Sequence, residues 1–151
     1  MRISIGADHR GFKFKEKIKA ILKKLKYDID DVGTNSSEVS CDYPKVAYKV
    51  AKNVASGKSD RGVLVCMSGV GQAMAANKVK GAYAALVLNK KMAALSRQHN
   101  DSNVLVLSAK FIEENELENI VKTWFNTPFE GGRHERRTQQ IKMIEEGKDP
   151  A

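Results

Sequence analysis

Cysteines, aromatic residues and long apolar runs are all scarce in this chain. Only two of its 151 residues are cysteines, Cys41 and Cys66. The sequence after Met1 enters a strand-like pattern at once and does not read as a secretory signal, so we expect reduced thiols in a cytoplasmic protein. No apolar run approaches the ~20 residues of a membrane span, and we expect no membrane partner. With neither a long linker nor an internal repeat, the length fits one domain over residues 1–151.

Acidic residues are in the minority, since 18 Asp and Glu face 26 Lys and Arg, which gives a net charge of +8. Such an excess is compatible with an anionic partner, including nucleic acid. Many of the lysines, however, alternate with apolar residues at helical spacing. Without an aromatic platform or a known nucleic-acid motif, we interpret them as the solvated face of an amphipathic helix and expect no nucleic-acid partner. These residues are Lys13, Lys15, Lys17, Lys19, Lys23, Lys24 and Lys26.

Short apolar runs alternate with helical patterns along the whole chain. The pattern predicts five strands, at residues 2–7, 27–32, 62–66, 82–88 and 104–108. It predicts six helices, at residues 12–25, 44–55, 71–78, 91–99, 113–125 and 133–146. This β–α alternation indicates an α/β fold with a parallel sheet covered by helices on both faces. Segment 27–32 alternates with aspartates and is therefore expected at an edge of the sheet.

The segment from Arg61 to Lys78 is the most informative part of the sequence. It predicts a buried strand that ends in Cys66, then a glycine loop, then a helix. A thiol at a helix N-terminus feels the partial positive charge of unpaired N–H groups, which can lower its pKa and make it a base or a nucleophile. The alternative is a small buried hydrophobe at a strand end, because free cysteine is often buried.

Two familiar motifs do not fit this loop. Cysteine phosphatases need an arginine six positions after the cysteine, where this chain has Gln72. The dinucleotide-binding fingerprint needs a third small residue where this chain has Met74, and an acidic residue where it has Asn89. A loop that cradles a small oxyanion or a phosphate remains compatible with the sequence.

Other polar residues fall at two different edges of the predicted sheet. Asp8 and His9 follow the first strand, which places them at the carboxyl edge with Cys66. His99 and Asn100 end the helix before the fifth strand, and this order normally places them at the opposite edge. Each pair has a purely structural alternative, as a cap at the start or end of a helix. A second subunit could bring the two groups together.

Arg133 and Arg137 lie four residues apart on the last predicted helix, so they share a face. Such a pair can clamp a phosphate, because each guanidinium offers a fork of donors. The alternative is a solvated run of charges.

Six motifs together resemble one family, the type B ribose-5-phosphate isomerases, which are grouped with the galactose-6-phosphate isomerases of the lactose pathway. The similarity extends over nearly the whole chain. The motifs are Gly-Ala-Asp-His-Arg-Gly at 6–11, Asp-Tyr-Pro at 42–44, Cys-Met-Ser-Gly-Val-Gly at 66–71, Ala-Ala-Asn-Lys at 75–78, Ser-Arg-Gln-His-Asn-Asp at 96–101 and Gly-Gly-Arg-His-Glu-Arg-Arg at 131–137.

The resemblance implies a Rossmann-like three-layer αβα sandwich that forms a homodimer or homotetramer with active sites shared between subunits. It implies interconversion of D-ribose 5-phosphate and D-ribulose 5-phosphate through a cis-enediol, in the pentose phosphate pathway, with no cofactor and no metal. The close alternative is the same chemistry on a hexose 6-phosphate such as allose or galactose 6-phosphate. An alternative of another class is a non-catalytic protein that binds a sugar phosphate or nucleic acid through its positive charge.

The resemblance also implies roles for individual residues. Cys66 is the expected base as a thiolate, with Ser68 hydrogen-bonding nearby, and His99 is expected to open the sugar ring. His99 and Asn100 are expected to come from the other subunit. The expected substrate-binding residues are Asp8, His9, Tyr43, Gly69, Gly71, Asn100, Arg133 and Arg137.

The chain departs from the family pattern at four positions. Members without the cysteine use a glutamate base where this chain has Gln72, which cannot accept a proton and so favours Cys66. Met67 stands where glycine is common, and we expect its side chain to narrow the pocket. Ser68 replaces a frequent threonine and keeps the hydroxyl. Lys110 replaces an arginine, which keeps the charge but loses the fork.

Overall fold

Five parallel strands form the central sheet of the computed structural model, which describes residues 1–151. They are β1 (Arg2–Ala7), β2 (Asp28–Asp31), β3 (Arg61–Cys66), β4 (Ala84–Val87) and β5 (Val104–Ser108). The strand order is β2-β1-β3-β5-β4, and every neighbouring pair is parallel. The expected five-stranded parallel sheet is confirmed, and β2 lies at an edge as its aspartates indicate.

The chain has six helices, and none of them has the length and apolar character needed to cross a membrane. They are α1 (Phe12–Lys24), α2 (Tyr43–Ala55), α3 (Val70–Ala76), α4 (Lys90–Gln98), α5 (Leu117–Asn126) and α6 (Arg133–Glu145). Apolar residues of α1, α4 and α5 pack on one face of the sheet, and those of α2 and α3 on the other. The three-layer αβα sandwich is therefore confirmed.

The observed boundaries differ from the sequence prediction mainly at two elements. A 3₁₀ turn, Glu114–Glu116, precedes α5 where the pattern predicted one continuous helix. The fourth strand is shorter than expected because the backbone of Tyr83 forms hydrogen bonds with Asn103. The regular pairing of β4 with β5 begins only at Ala84. The Tyr83 N–H donates to the Asn103 Oδ1 at 2.7 Å, and the Tyr83 carbonyl accepts from the Asn103 N–H at 3.0 Å.

Lys15 corrects the interpretation of α1 as a helix with only solvated lysines. Its side chain is 0% exposed, and its Nζ donates to Asp31 at 2.7 Å and to the Thr34 carbonyl at 2.6 Å. A buried ammonium needs such partners, because removing a charge from water without pairing it is costly. The ion pair joins α1 to the edge strand β2.

Candidate active site

The strand, loop and helix expected around Cys66 are present. Strand β3 ends at Cys66, and α3 begins directly after Gly69. Gly69 has φ +86°, and a Cβ there would lie 2.5 Å from the Leu86 Cδ1, so the position requires glycine in conformation and in space. The Gly69 N–H donates to the Cys66 Sγ at 3.1 Å. The thiol thus lies beneath the glycine loop, in contact with its backbone donors.

The helix N-terminus, which can lower the pKa of a thiol, does not lower that of Cys66 in this structure. Cys66 is only 5% exposed, and this burial raises the pKa of its thiol, with the nearby Asp8 carboxylate adding to the rise. Backbone hydrogen bonds from Gly69, Gln72 and Ser68 act in the opposite direction but do not outweigh burial. The backbone donors of the loop can be predicted from the sequence. The degree to which the Cys66 thiol is removed from water cannot, because it depends on packing by elements distant in the chain.

Two side chains of the β1–α1 loop lie at the same carboxyl edge. Asp8 is buried, and its Oδ1 accepts from the Gly11 N–H at 2.9 Å, just before α1 begins. The N-cap of α1 is Gly11, and no side chain caps this helix, so the alternative of Asp8 as a helix cap is wrong. The Nδ1 of His9 accepts from the Cys41 N–H at 3.3 Å. A neutral His9 consequently carries its proton on Nε2, which is free to donate.

Tyr43 and Ser68 border the glycine loop. A Cβ at Gly71 would lie 2.5 Å from the Tyr43 Cζ and 2.8 Å from its hydroxyl, so Gly71 leaves the space that the tyrosine ring occupies. The Ser68 Oγ accepts from the Val70 N–H at 3.3 Å, within the loop. Tyr43, Ser68 and Cys66 therefore surround one short stretch of backbone.

Met67 contacts a residue to which the sequence assigned no role, Arg10. The Arg10 Nη1 lies 2.9 Å from the Met67 Sδ, which connects the loops after β1 and β3. The Met67 carbonyl accepts from the Ser108 Oγ at 2.6 Å and from the Lys110 N–H at 3.0 Å. The unusual residue in place of glycine was the only sequence signal for this contact.

Gln72 is fully buried, and neither polar atom of its side-chain amide has a hydrogen-bond partner. A buried amide without partners costs stability, by roughly 1–3 kcal/mol per unpaired group in mutational series. The sequence identified Gln72 only as a residue that cannot act as a base.

The second group of expected site residues lies where α4 ends and α6 begins. His99 caps α4, and its ring stacks on that of His134 with centroids 4.1 Å apart and an interplanar angle of 9°. The charges of Arg133 and Arg137 both act on His134, and the exposed Asn100 follows His99. His134 had no role in the sequence prediction, because a lone histidine in a charged segment gives no signal of its contact with α4.

A buried network holds the turn that carries His99 and Asn100. The guanidinium of Arg97 donates to the Ser102 carbonyl and pairs with Asp101 at 2.9 Å. The Ser102 Oγ accepts from the Trp124 Nε1 at 3.0 Å. The turn is therefore fixed from both α4 and α5, which confirms the helix end expected at this point.

One chain does not bring the two groups together. Cys66 pairs with Ser108 at the end of β5, whereas Gly62 pairs with Val104 at its start. The turn with His99 precedes Val104, so it lies at the opposite edge, about 16 Å away for five strand residues. The expected separation is confirmed, and each chain carries two candidate half-sites, one with Cys66 and one with His99.

His99, Glu130 and His134 offer three possible metal ligands whose atoms lie within 4.8 Å of one another. Their geometry does not fit one ion, because lone pairs of stacked parallel rings lie in parallel planes and do not converge. The nearby Arg133 and Arg137 charges also oppose a cation and favour an anion.

A protein-family model described as Ribose/Galactose Isomerase matches residues 3–141. The chain belongs to this family. Among related ribose/galactose isomerases, the probable ribose-5-phosphate isomerase B of Mycoplasma genitalium is 45% identical over 140 residues, which cover 92% of each chain. The ribose-5-phosphate isomerase B of Escherichia coli is 42% identical over 145 residues, covering 96% of this chain and 97% of that protein.

Solved structures of ribose/galactose isomerases share the fold. Ribose-5-phosphate isomerase B of Clostridium thermocellum superposes with a TM-score of 0.95 at 44% identity, covering 97% of this chain and 99% of that one. The Mycoplasma genitalium enzyme, solved with bound ribulose 5-phosphate, gives a TM-score of 0.92 at 44% identity and covers 96% of both chains.

Proposed function

We propose that this chain is an aldose–ketose isomerase that interconverts D-ribose 5-phosphate and D-ribulose 5-phosphate through a cis-enediol. The observation that carries the proposal is the Cys66 thiol beneath the backbone donors of the glycine loop, in a chain 42–45% identical to ribose-5-phosphate isomerases B. The bound ribulose 5-phosphate of the Mycoplasma genitalium structure supports the choice of substrate.

Cys66 acts as the base in this proposal. Its thiolate takes the proton from C2 of the open aldose, the C–H electron pair forms the C1–C2 double bond, and the carbonyl oxygen gains a proton. The thiol then returns a proton to C1 as the C2 hydroxyl loses its own and becomes the ketone. The N–H groups between Gly69 and Gly71 and the hydroxyl of Ser68 face the developing oxyanion, and one such donor stabilises it by roughly 3–4 kcal/mol in comparable sites.

Ring opening and phosphate binding use the second half-site. His99 exchanges a proton with the ring oxygen and the anomeric hydroxyl, and Asn100 donates to the substrate. Arg133 and Arg137 bind the phosphate together with the free Nε2 of His9. Asp8 and Tyr43 orient sugar hydroxyls at the carboxyl edge.

The separation of the half-sites supports a homodimer or homotetramer. Because the edge that carries Cys66 and the edge that carries His99 are about 16 Å apart for five residues of β5, a complete site needs two chains. In this arrangement Arg133 and Arg137 reach the substrate from the same partner as His99. We further place the enzyme in the cytoplasm and in the pentose phosphate pathway.

Met67 favours a pentose phosphate over a hexose phosphate. Its side chain follows Cys66 in the chain and contacts Arg10, whereas a glycine would place no side chain there. A hexose 6-phosphate is longer by one carbon and needs that space. Met67→Gly is therefore expected to raise kcat/KM for allose 6-phosphate relative to ribose 5-phosphate.

The deciding experiment measures isomerisation of ribose 5-phosphate, beside allose and galactose 6-phosphates, by the wild type, Cys66→Ala and Cys41→Ala. We expect Cys66→Ala to lose at least about a hundredfold in kcat, as removal of an acid–base group does. Cys41→Ala is the thiol control and should keep most activity, because the hydrogen bond of Cys41 to His9 comes from its backbone N–H, which the substitution keeps. Full activity in Cys66→Ala would refute the base, and no turnover by the wild type on any of these sugars would refute the isomerase.

A further inference from the structure

His134 is the one buried side chain of α6. It is 5% exposed, whereas the other residues of this helix are half-buried or exposed. Its single charged partner is Glu130, whose Oε2 lies 3.6 Å from the His134 Nε2. An imidazole buried with so weak a polar contact adds little to the stability of the fold. An aliphatic side chain would fill the same space without the cost of desolvating two nitrogens. Its position against His99 gives it another use.

The contact between the two rings is face to face. The centroids are 4.1 Å apart and the planes differ by 9°. Both nitrogens of an imidazole lie on the ring edge, so stacking restrains the ring without occupying either nitrogen. No side-chain hydrogen bond in the chain involves the ring of His99, and the stack on His134 is the aromatic contact that orients it.

The segment that leads into α6 fixes this stack. The Glu130 N–H donates to the Gln98 carbonyl at 3.1 Å, and the His134 N–H donates to the Gly131 carbonyl at 3.0 Å. The first hydrogen bond joins the approach to α6 directly to the last turn of α4. The two imidazoles are thus held by the backbone on both sides.

Burial and the surrounding charges disfavour a proton on His134. Burial lowers the pKa of His134 below its ordinary value, and the facing charges of His99 on α4 and of Arg133 and Arg137 on α6 lower it further. Glu130, in the preceding segment, acts in the opposite direction. A neutral His134 does not oppose a proton on His99, whereas a charged one 4.1 Å away would repel it.

We propose that His134 is a positioning residue for ring opening, which holds the His99 imidazole flat so that its edge nitrogens face the substrate. This inference rests on the proposed function. It separates two parts of the reaction, because His134 acts through His99 on the closed sugar and has no contact with the Cys66 half-site of its own chain.

Two substrates distinguish these parts. Ribose 5-phosphate is a closed ring that must open before proton transfer. Ribulose 5-phosphate has no free hydroxyl with which to close a five-membered ring, so exchange of its C1 hydrogen with solvent deuterium requires only the Cys66 chemistry. The experiment compares His134→Leu, which loses the flat ring, with His134→Phe, which keeps it, and with the exposed control Gln139→Ala on the same helix.

We expect His134→Leu to lower kcat for ribose 5-phosphate about tenfold or more, as misdirection of an acid–base group does, with KM within about twofold. Its C1 exchange on ribulose 5-phosphate should stay near that of the wild type, and Cys66→Ala should lose both activities. His134→Phe should keep most of kcat and show a less steep loss of kcat/KM on acidification, because no charge can form at position 134. Gln139→Ala should match the wild type.

Unchanged ring-substrate turnover in His134→Leu overturns the inference, as does an equal loss of turnover and exchange. If His134→Leu does not fold, the test rests on His134→Phe. A loss of kcat/KM at low pH identical to that of the wild type would then overturn the inference. Absence of turnover in the wild type would instead refute the proposed function itself.

Discussion

The Cys66 thiol lies between a desolvating core and a row of backbone donors. Burial raises its pKa, while hydrogen bonds from the Gly69 N–H and its neighbours favour the thiolate without outweighing burial. The free chain therefore holds mostly the neutral thiol near pH 7, and the donors stabilise the anion once it forms. This balance makes activity and stability depend on pH in opposite ways on the alkaline side.

We expect kcat/KM to increase with pH along the ionisation of Cys66, with a midpoint above the ordinary thiol value of 9.0. The folded pKa is raised, so the thiol contributes stability below the unfolded pKa, and that contribution is lost as pH rises through the folded pKa. Ultraviolet absorbance of the thiolate, measured as the difference between wild type and Cys66→Ala, gives the midpoint directly. A midpoint below 9.0 in the substrate-free enzyme would contradict this reading of the site.

At the scale of elements, α6 attaches to the amino edge of the sheet through its last turn as well as its first. The two carboxylate oxygens of Glu145 accept from the Gly81 N–H at 2.8 Å and from the Tyr83 hydroxyl at 3.0 Å. Burial and this hydrogen bond raise the pKa of Tyr83 to about 12. The helix that carries Arg133 and Arg137 is therefore fixed at both ends.

Tyr83→Phe removes one of these bonds and leaves Glu145 half-satisfied. The free energy of unfolding should fall by about 0.5–1.5 kcal/mol, the usual net worth of one hydrogen bond. Urea denaturation measures this change. Tyr48→Phe is the matched control, because Tyr48 is exposed and its hydroxyl makes no hydrogen bond in the chain. Equal effects of the two substitutions would contradict the docking role of Tyr83.

Elements and site were not equally predictable from sequence. The apolar run before Cys66 and the spacing of Gly69 and Gly71 predict the strand, loop and helix because local chemistry determines all three. The burial of Lys15 depends on Asp31, which lies in another element. The His99–His134 stack joins residues that are 35 positions apart in the sequence. Such contacts follow from tertiary packing, and no local pattern encodes them.

For the whole molecule, the distribution of functional groups at two edges of one sheet is the dominant feature. β5 runs from the turn with His99 to the pairing of Ser108 with Cys66, so it spans the distance between the half-sites. A two-fold dimer can align the carboxyl edge of one chain with the amino edge of the other. Because of the symmetry, the same alignment then occurs at two places in the dimer. Each dimer would then contain two complete sites.

Mixed dimers test this arrangement. Cys66→Ala and His99→Asn should each be inactive with ribose 5-phosphate as pure proteins. When the two variants are coexpressed at equal levels, half of the dimers contain one chain of each kind. Each such dimer has one intact site out of two, so about a quarter of wild-type activity should return. The control mixes Cys66→Ala with Cys66→Ser, which should restore nothing. No recovery in the first mixture, with heterodimers verified by mass, would show that each site belongs to one chain.

The aspartates of β2 have a consequence for the behaviour of this protein at high concentration. Strand β2 has aspartate at three of its four positions, and Asp30 and Asp31 pair with cationic side chains from β1, α1 and the loop before β3. An open strand edge ordinarily invites a strand of another molecule, and charge on that edge discourages such pairing. Growth of the sheet into fibrils is therefore disfavoured at β2, which leaves the opposite side, at β4 and α6, as the open face for ordered assembly.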